Sequence, residues 1–111
     1  RAMRLRAALT RAVDRALDDC DALLLPTLPI AAPPLGATTV EVDGTSEPTR
    51  AAMLRLTQLF NMTGHPSLAL PAPQDVDALP RSIQIVARRH QTDRLLAIGR
   101  RVSRDLEHYA E

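Results

Sequence analysis

Three stretches of the chain place apolar residues at helical spacing. They are residues 1–19, 48–62 and 92–109, and in each of them apolar side chains recur every three or four positions. Such a repeat puts the apolar residues on one face of an α-helix. The pattern therefore predicts three amphipathic helices. Their apolar faces consist of Leu5, Ala8, Leu9, Ala12, Val13, Ala16, Leu17 and Cys20 in the first; Ala52, Met53, Leu56, Leu59 and Phe60 in the second; and Leu95, Ile98, Gly99, Val102, Leu106 and Tyr109 in the third.

The residues at the ends of the second and third stretches support these predictions. Pro48 is suited to a first helical turn, and Gly64 followed by Pro66 is suited to a C-cap. Thr92 is a candidate N-cap, with Asp93 in the first turn, where a negative charge favours the helix dipole. The chain itself therefore marks where two of the helices begin or end.

Short apolar runs between the helical stretches predict strands. They cover residues 21–26, 67–70 and 82–87, and the last is rich in β-branched residues. Unbroken apolar runs are typical of strands buried on both faces. Residues 38–42 are a further possible strand, before a turn at Asp43-Gly44 within the polar loop 36–49. Pro26, Pro29, Pro33 and Pro34 predict an extended loop over residues 27–35.

The order of these elements predicts the α/β class. We expect a sheet of three or four strands that is covered by helices on both faces. The sheet is expected to continue into chain beyond these 111 residues, which form a single segment, 1–111.

Composition and charge narrow the classes of partner. The formal net charge is +1 and aromatic residues are 2%, which does not favour a nucleic-acid partner or an anionic membrane. No apolar run is long enough to span a membrane, and no signal peptide is visible. Cys20 is the only cysteine, which excludes an internal disulfide and a cysteine-based zinc site. We expect a cytoplasmic protein without a cofactor or metal.

The residues that carry nucleophilic chemistry form no recognisable catalytic set. All 14 basic residues are arginine, so lysine-based catalysis is excluded for this segment. None of the four serines lies in a G-x-S-x-G sequence. His65 is close to Ser67 in sequence, but we interpret it as shaping a turn. Asp14 and Asp18 are interleaved with arginines, which favours a solvated, salt-bridged helix face.

Four segments, in order, resemble the amidase-signature enzymes. Residues 21–27 (DALLLPT) are similar to a D-x-hydrophobic-hydrophobic-x-P-T segment of that family. Residues 60–71 (FNMTGHPSLALP) resemble its N-x-T-G-x-P-(A/S) turn and following strand, and residues 79–86 (LPRSIQIV) resemble its L-P-x-G-x-Q segment. The beginning of the last helix, Asp93-Arg94-Leu95-Leu96, with Glu107 near its end, also fits. The order and spacing match across nearly the whole chain.

The resemblance is to the C-terminal portion of these hydrolases, and it implies a partial α/β/α sandwich with a mixed sheet of three or four strands. It implies a Ser–Ser–Lys triad that lies upstream of Arg1 and is absent here, so this segment alone is expected to be inactive. It also implies that Thr27 and Asn61 are candidates for shaping a substrate pocket, with turn and cap hydrogen bonding as the alternative role. The sequence departs from the family pattern at Ala78 and Ser82, which replace glycines, and at Arg81, which replaces an apolar residue. The turn 72–78 also lacks the usual glycines.

Two functions of different class remain open. The first is the C-terminal part of an amidohydrolase that cleaves a small-molecule carboxylic amide through an acyl-serine intermediate. The second is a non-catalytic, free-standing remnant that acts as an oligomeric scaffold or interaction module. Self-association or packing against the missing N-terminal region is expected in either case, because an incomplete sheet leaves open edges. The A subunit of a tRNA-dependent amidotransferase shares the motifs and is not distinguished by them.

Overall fold

A computed structural model describes residues 1–73 and 78–109 of the chain, without the side chain of Tyr109. The predicted glycine-poor turn 72–78 therefore lies partly outside the described residues. Three helices are present, as predicted, and they alternate with strands. Their bounds are α1 Ala2–Ala16, α2 Thr49–Thr63 and α3 Thr92–Tyr109.

The predicted end of α2 is confirmed, whereas the predicted N-cap of α3 is wrong. Gly64 ends α2 in the left-handed conformation (φ 79°), and its N–H donates to the carbonyl of Phe60 at 2.9 Å, as the Gly-Pro signal predicted. Thr92 is not the N-cap. The carbonyl of Gln91 accepts the first helical hydrogen bond, from the N–H of Leu95 at 3.0 Å, so Thr92 is the first residue inside α3.

Three strands form one sheet in the order β1-β5-β4, so the last strand in sequence lies in the middle. Both ladders are antiparallel, with Leu24 opposite Ile85 and Leu68 opposite Ile85. The predicted α/β class, with three strands covered by helices, is confirmed. Both ladders of the described sheet are antiparallel, whereas a mixed sheet was expected. The strand bounds are β1 Leu23–Pro26, β2 Thr39–Val42, β3 Thr45–Pro48, β4 Ser67–Pro71 and β5 Ser82–Val86.

A separate two-stranded hairpin, β2 and β3, precedes α2. Asp43 and Gly44 form its turn, and both have positive φ (53° and 80°), as the tight turn of a two-residue hairpin requires. The sequence predicted β2 and this turn but left residues 45–48 as polar loop. β3 was missed because its residues, Thr-Ser-Glu-Pro, carry no apolar alternation.

The core lies on both faces of β5. Val86 packs with Val13, Leu17 and Phe60 of the α1–α2 side. Its neighbour Ile85 points to the opposite face and packs in a second cluster with Leu95 of α3. Successive residues of a strand face opposite sides of the sheet, so this alternation produces the predicted α/β/α layering.

The outer strands are less covered than predicted. Burial alternates along β1 and β4, and Leu24 on β1 is 65% exposed. Of the three strands described in this sheet, only β5 is covered on both faces. The apolar face of α1 is likewise only partly used, because Val13 and Leu17 are buried whereas Leu5 is 57% exposed. These uncovered apolar residues lie on an edge strand and on the first turns of α1.

Candidate functional site

An apolar groove of about 720 Å³ lies where the proline-rich loop leaves β1 and passes the ends of β4 and β5. One wall comes from the loop and the other comes from the two strands. Ser82 and Arg81 supply the polar side chains of the lining. The lining residues are Pro26, Leu28, Pro29, Ile30, Ala31, Ala32, Ala69, Leu70, Pro71, Ala72, Pro80, Arg81, Ser82 and Ile83.

Thr27 connects the two walls beside the groove. Its N–H donates to the carbonyl of Ser82 at 3.1 Å, and its Oγ1 lies 2.5 Å from Ser82 Oγ. Thr27 is flanked by the lining residues Pro26 and Leu28 but is not itself among the residues that line the groove. Its hydroxyl is therefore engaged in the structure of the loop.

Asn61 lies apart from the groove, although it was predicted beside Thr27 as a pocket residue. It is exposed in the last turn of α2, one turn before Gly64, and it is not among the described residues that line the groove. The structure thus places Thr27 beside the groove, whereas Asn61 is an exposed residue in the last turn of α2. A direct role of either residue in substrate binding stays a prediction.

A second polar cluster lies between α1 and the turn after α2, with a buried histidine and a partly exposed carboxylate. The side chain of His65 is fully buried, and its Nε2 lies 2.8 Å from Asp14 Oδ1. Its Nδ1 lies 2.7 Å from Thr63 Oγ1, and Arg89 Nη2 donates to Asp14 Oδ2 at 3.1 Å. Asp14 is partly exposed and salt-bridged, as predicted, but its partners are not the neighbouring arginines. It pairs instead with residues 51 and 75 positions away.

The electrostatics of this cluster favour an ionised Asp14. The hydrogen bond with His65, together with the charge of Arg89, holds the pKa of the Asp14 carboxyl below its ordinary value, against a smaller opposing effect of burial. Thr63 completes a carboxylate–imidazole–hydroxyl series, but it is only 5% exposed. A nucleophile must reach its substrate, so we assign this series a structural role.

Comparison with known proteins decides the family. A family model, that of Amidase, matches residues 1–96. The chain belongs to the Amidase family. The resemblance based on four sequence segments is thereby confirmed.

Individual members of the Amidase family show the extent of the match. The 1-carboxybiuret hydrolase subunit AtzE of Pseudomonas sp. (strain ADP) is 39% identical over 88 residues, which are 78% of this chain and 19% of that protein. Indoleacetamide hydrolase of Allorhizobium ampelinum (strain ATCC BAA-846 / DSM 112012 / S4) is 37% identical over 83 residues, 74% of this chain and 18% of that protein. A crystal structure of an amidase superposes with a TM-score of 0.82 at 38% identity, covering 91% of this chain and 23% of that one. The chain therefore spans about a fifth of the length of these relatives.

The Amidase-family pattern clarifies the groove. Two of the positions at which this chain departs from it, Arg81 and Ser82, are groove residues. The resemblance implies glycine where Ser82 stands, and the serine hydroxyl at this position meets Thr27. Sequence reasoning noted the departure but did not predict the contact, because Thr27 and Ser82 are 55 positions apart.

The remaining candidates behave as structural residues. Ser67 Oγ donates to Gln84 Oε1 at 2.9 Å and does not meet His65. Cys20, which was predicted to be buried, is half-buried and donates to the carbonyl of Ala16 at 3.3 Å. Within residues 1–73 and 78–109, no group of three or more His, Cys, Asp or Glu side chains is placed to hold a metal ion. No helix in that part of the chain is long and apolar enough to cross a membrane.

Proposed function

We propose that this chain is the C-terminal part of an amidase-signature hydrolase that cleaves carboxylic amides through an acyl-serine intermediate. The observation that carries the proposal is the Amidase match over residues 1–96 of a chain that spans about a fifth of its relatives. Two of those relatives are named as hydrolases, of 1-carboxybiuret and of indoleacetamide. Their names support a small-molecule amide as the substrate class.

The chemistry is assigned to residues outside this segment. A serine oxygen bonds to the amide carbonyl carbon, the carbon–nitrogen bond breaks, and the amine or ammonia leaves with a proton. Water then hydrolyses the acyl ester and restores the serine. A lysine acting as base is needed for the triad that the resemblance implies, and arginine cannot replace it because it stays protonated. All 14 basic residues of this chain are arginine, so the triad belongs upstream.

This segment contributes part of the substrate pocket. The apolar lining of the groove is suited to the apolar part of an acyl group, and Arg81 adds one basic side chain to the lining. Thr27 holds the loop wall of this groove, and Asn61 stays a candidate at a second position. The segment alone lacks the reacting groups and is expected to be inactive. A cytoplasmic location stays a prediction.

The test compares the segment with the full open reading frame. We expect in-frame coding sequence upstream of Arg1 that contains a lysine and a glycine- and serine-rich run. The full product should release ammonia from a panel of carboxamides that includes indoleacetamide and glutamine. In the presence of hydroxylamine it should form hydroxamates, since an acyl ester is open to that nucleophile. The 111-residue chain should do neither. A full product without activity on any amide would contradict the proposal.

The exposed apolar residues favour the alternative of an interaction module. Met3 and Leu5 on α1 and Leu24 on β1 are 83%, 57% and 65% exposed. β1 and β4 are also the outer strands of the described sheet. Such surfaces pack against the rest of a larger domain or against a second copy. A start codon at Arg1, combined with a dimeric mass in analytical ultracentrifugation, would favour a self-associating scaffold over the hydrolase.

A further inference from the structure

The loop after β1 is held to the sheet at its first residue. Pro26, Pro29, Pro33 and Pro34 have no amide N–H to donate, so this stretch has few means of extending a strand ladder. Thr27 compensates at the beginning of the loop, because its N–H donates to the carbonyl of Ser82 at 3.1 Å. The two hydroxyl oxygens of the same pair lie 2.5 Å apart.

The two hydroxyl groups share one hydrogen bond, in which either oxygen can be the donor. Ser82 Oγ also lies 3.4 Å from the carbonyl oxygen of Ile83. Both hydroxyl groups are only partly accessible to solvent. The loop is thus tied to β5 by one backbone and one side-chain hydrogen bond.

The hydrogen bonds between Thr27 and Ser82 link the two walls of the groove. Pro26 and Leu28, on either side of Thr27, belong to the loop wall, whereas Ser82 and Ile83 belong to the opposite wall. The contact between Thr27 and Ser82 therefore crosses from one wall to the other. Loss of the side-chain bond would weaken this link, because the backbone bond from Thr27 to Ser82 would then hold the beginning of the loop wall alone.

We propose that the hydroxyl pair of Thr27 and Ser82 is a positioning device that sets the width of the groove for the acyl group of the amide substrate. This inference rests on the proposed function. Both residues act through the loop and are not catalytic. Since the reacting groups lie elsewhere, loss of the pair should weaken ground-state and transition-state binding equally, which raises KM and leaves kcat unchanged.

The test uses the full product of the reading frame and removes each hydroxyl separately. Ser82→Ala and Thr27→Val should each raise KM for an amide with a bulky apolar acyl group by about two- to tenfold, the equivalent of one hydrogen bond. The value of kcat should stay within about twofold on this reasoning. The double variant should be no worse than either single one, because both changes remove the same contact. Thr27→Ser keeps a hydroxyl group and should have the same KM as the parent.

A matched control comes from the β2–β3 hairpin. Ser46 is an exposed serine on β3 and does not line the groove, so Ser46→Ala should leave KM and kcat unchanged. An unchanged KM in Ser82→Ala and Thr27→Val, with an active parent, would overturn the inference and leave the proposed function standing. An equal fall in kcat and kcat/KM would also overturn it, because the pair would then act in the transition state.

A second measurement is independent of activity. Hydrogen–deuterium exchange of the 111-residue chain reports on the amide of Thr27, whose N–H donates to the carbonyl of Ser82. We expect Ser82→Ala to accelerate the exchange of this amide at least threefold relative to Ser46→Ala, while the helices keep their protection. Equal exchange in the two variants would overturn the inference. If no amide is cleaved by the full product, the proposed function fails and this measurement still decides whether the pair fixes the loop.

Discussion

Gln84 links three elements through one buried side chain. It lies on the central strand β5 and is 2% exposed. Its Nε2 donates to the carbonyls of Pro26 on β1 at 3.2 Å and Leu56 on α2 at 3.0 Å. Its Oε1 accepts from Ser67 on β4 at 2.9 Å. Both amide hydrogens donate hydrogen bonds, so this position requires an amide group and not only a side chain of similar size.

Gln84→Glu changes only the donor end of this side chain. An ionised carboxylate cannot donate, and it places negative charge beside two carbonyl oxygens in a buried site. Two lost hydrogen bonds cost about 2 kcal/mol, and burying the charge without a partner adds about 1–3 kcal/mol. We therefore expect the free energy of unfolding to fall by about 3–5 kcal/mol at pH 7 on these values. Gln84→Met, which loses the bonds without adding charge, should cost about 2 kcal/mol by the same reasoning.

The pH dependence separates charge from packing. Burial beside carbonyls raises the pKa of the carboxyl that Gln84→Glu introduces above its unfolded value of about 4.3. A group with a raised acid pKa destabilises the fold as pH rises, because the unfolded state releases its proton first. The deficit of Gln84→Glu relative to the parent should thus shrink between pH 7 and pH 5, by at most about 1.4 kcal/mol per pH unit. The deficit of Gln84→Met should not change.

The assay is urea unfolding of the chain followed by far-ultraviolet circular dichroism at pH 7 and pH 5. Gln58→Glu is the matched control, because Gln58 is exposed on α2 and its replacement should stay within about 0.5 kcal/mol. If Gln84→Glu is unfolded at pH 7, it should regain structure at pH 5. A Gln84→Glu variant that equals the parent at pH 7, or a deficit independent of pH, would refute the assignment of the amide to these carbonyls.

Three further predictions concern stability. Asp14→Asn should lower the unfolding free energy by about 1 kcal/mol at pH 7. Because the pKa of Asp14 is lowered in the folded chain, this difference between parent and variant should disappear as the pH falls below about 4. Urea unfolding at several pH values would measure it. Arg88→Met removes two hydrogen bonds to the carbonyls that follow α1 and should cost about 1–3 kcal/mol by urea unfolding, whereas Arg100→Met on the exposed face of α3 should cost less than about 0.5 kcal/mol. Gly99→Val places a side chain against β4 and should lower the thermal midpoint clearly more than Ala97→Val, an exposed change on the same helix; equal midpoints would contradict the close packing.

The elements that the sequence predicts are those with a local signal. The apolar faces of α2 and α3 and the Asp43-Gly44 turn each depend on residues within a few positions of one another. Helical spacing and positive φ are local properties, so the sequence alone is informative there. β3 has no apolar alternation and is specified only by pairing with β2. Predicting β3 requires the Asp43-Gly44 turn to be interpreted as the turn of a hairpin.

The polar contacts that shape the candidate site are beyond local reasoning. Asp14 meets His65 across 51 positions, and Thr27 meets Ser82 across 55. No spacing rule connects residues so far apart without a known topology. Gln84 did carry a usable signal, because a lone amide in the apolar run 82–87 implies a buried polar group that must find partners. That signal identifies the residue but not its partners.

The central place of β5 in the sheet has a consequence for how the chain acquires its structure during synthesis. Among the described residues, β1 pairs with residues about 60 positions later, since Leu23 faces Val86 and Pro26 faces Ile83. The hairpin of β2 and β3, in contrast, has all its pairing within residues 39–48. The hairpin and α2 can therefore form while β1 still has no partner, because local contacts form before distant ones. On the ribosome, the apolar run of β1 remains uncovered until residue 86 has emerged, a period in which it is open to chaperones and to aggregation.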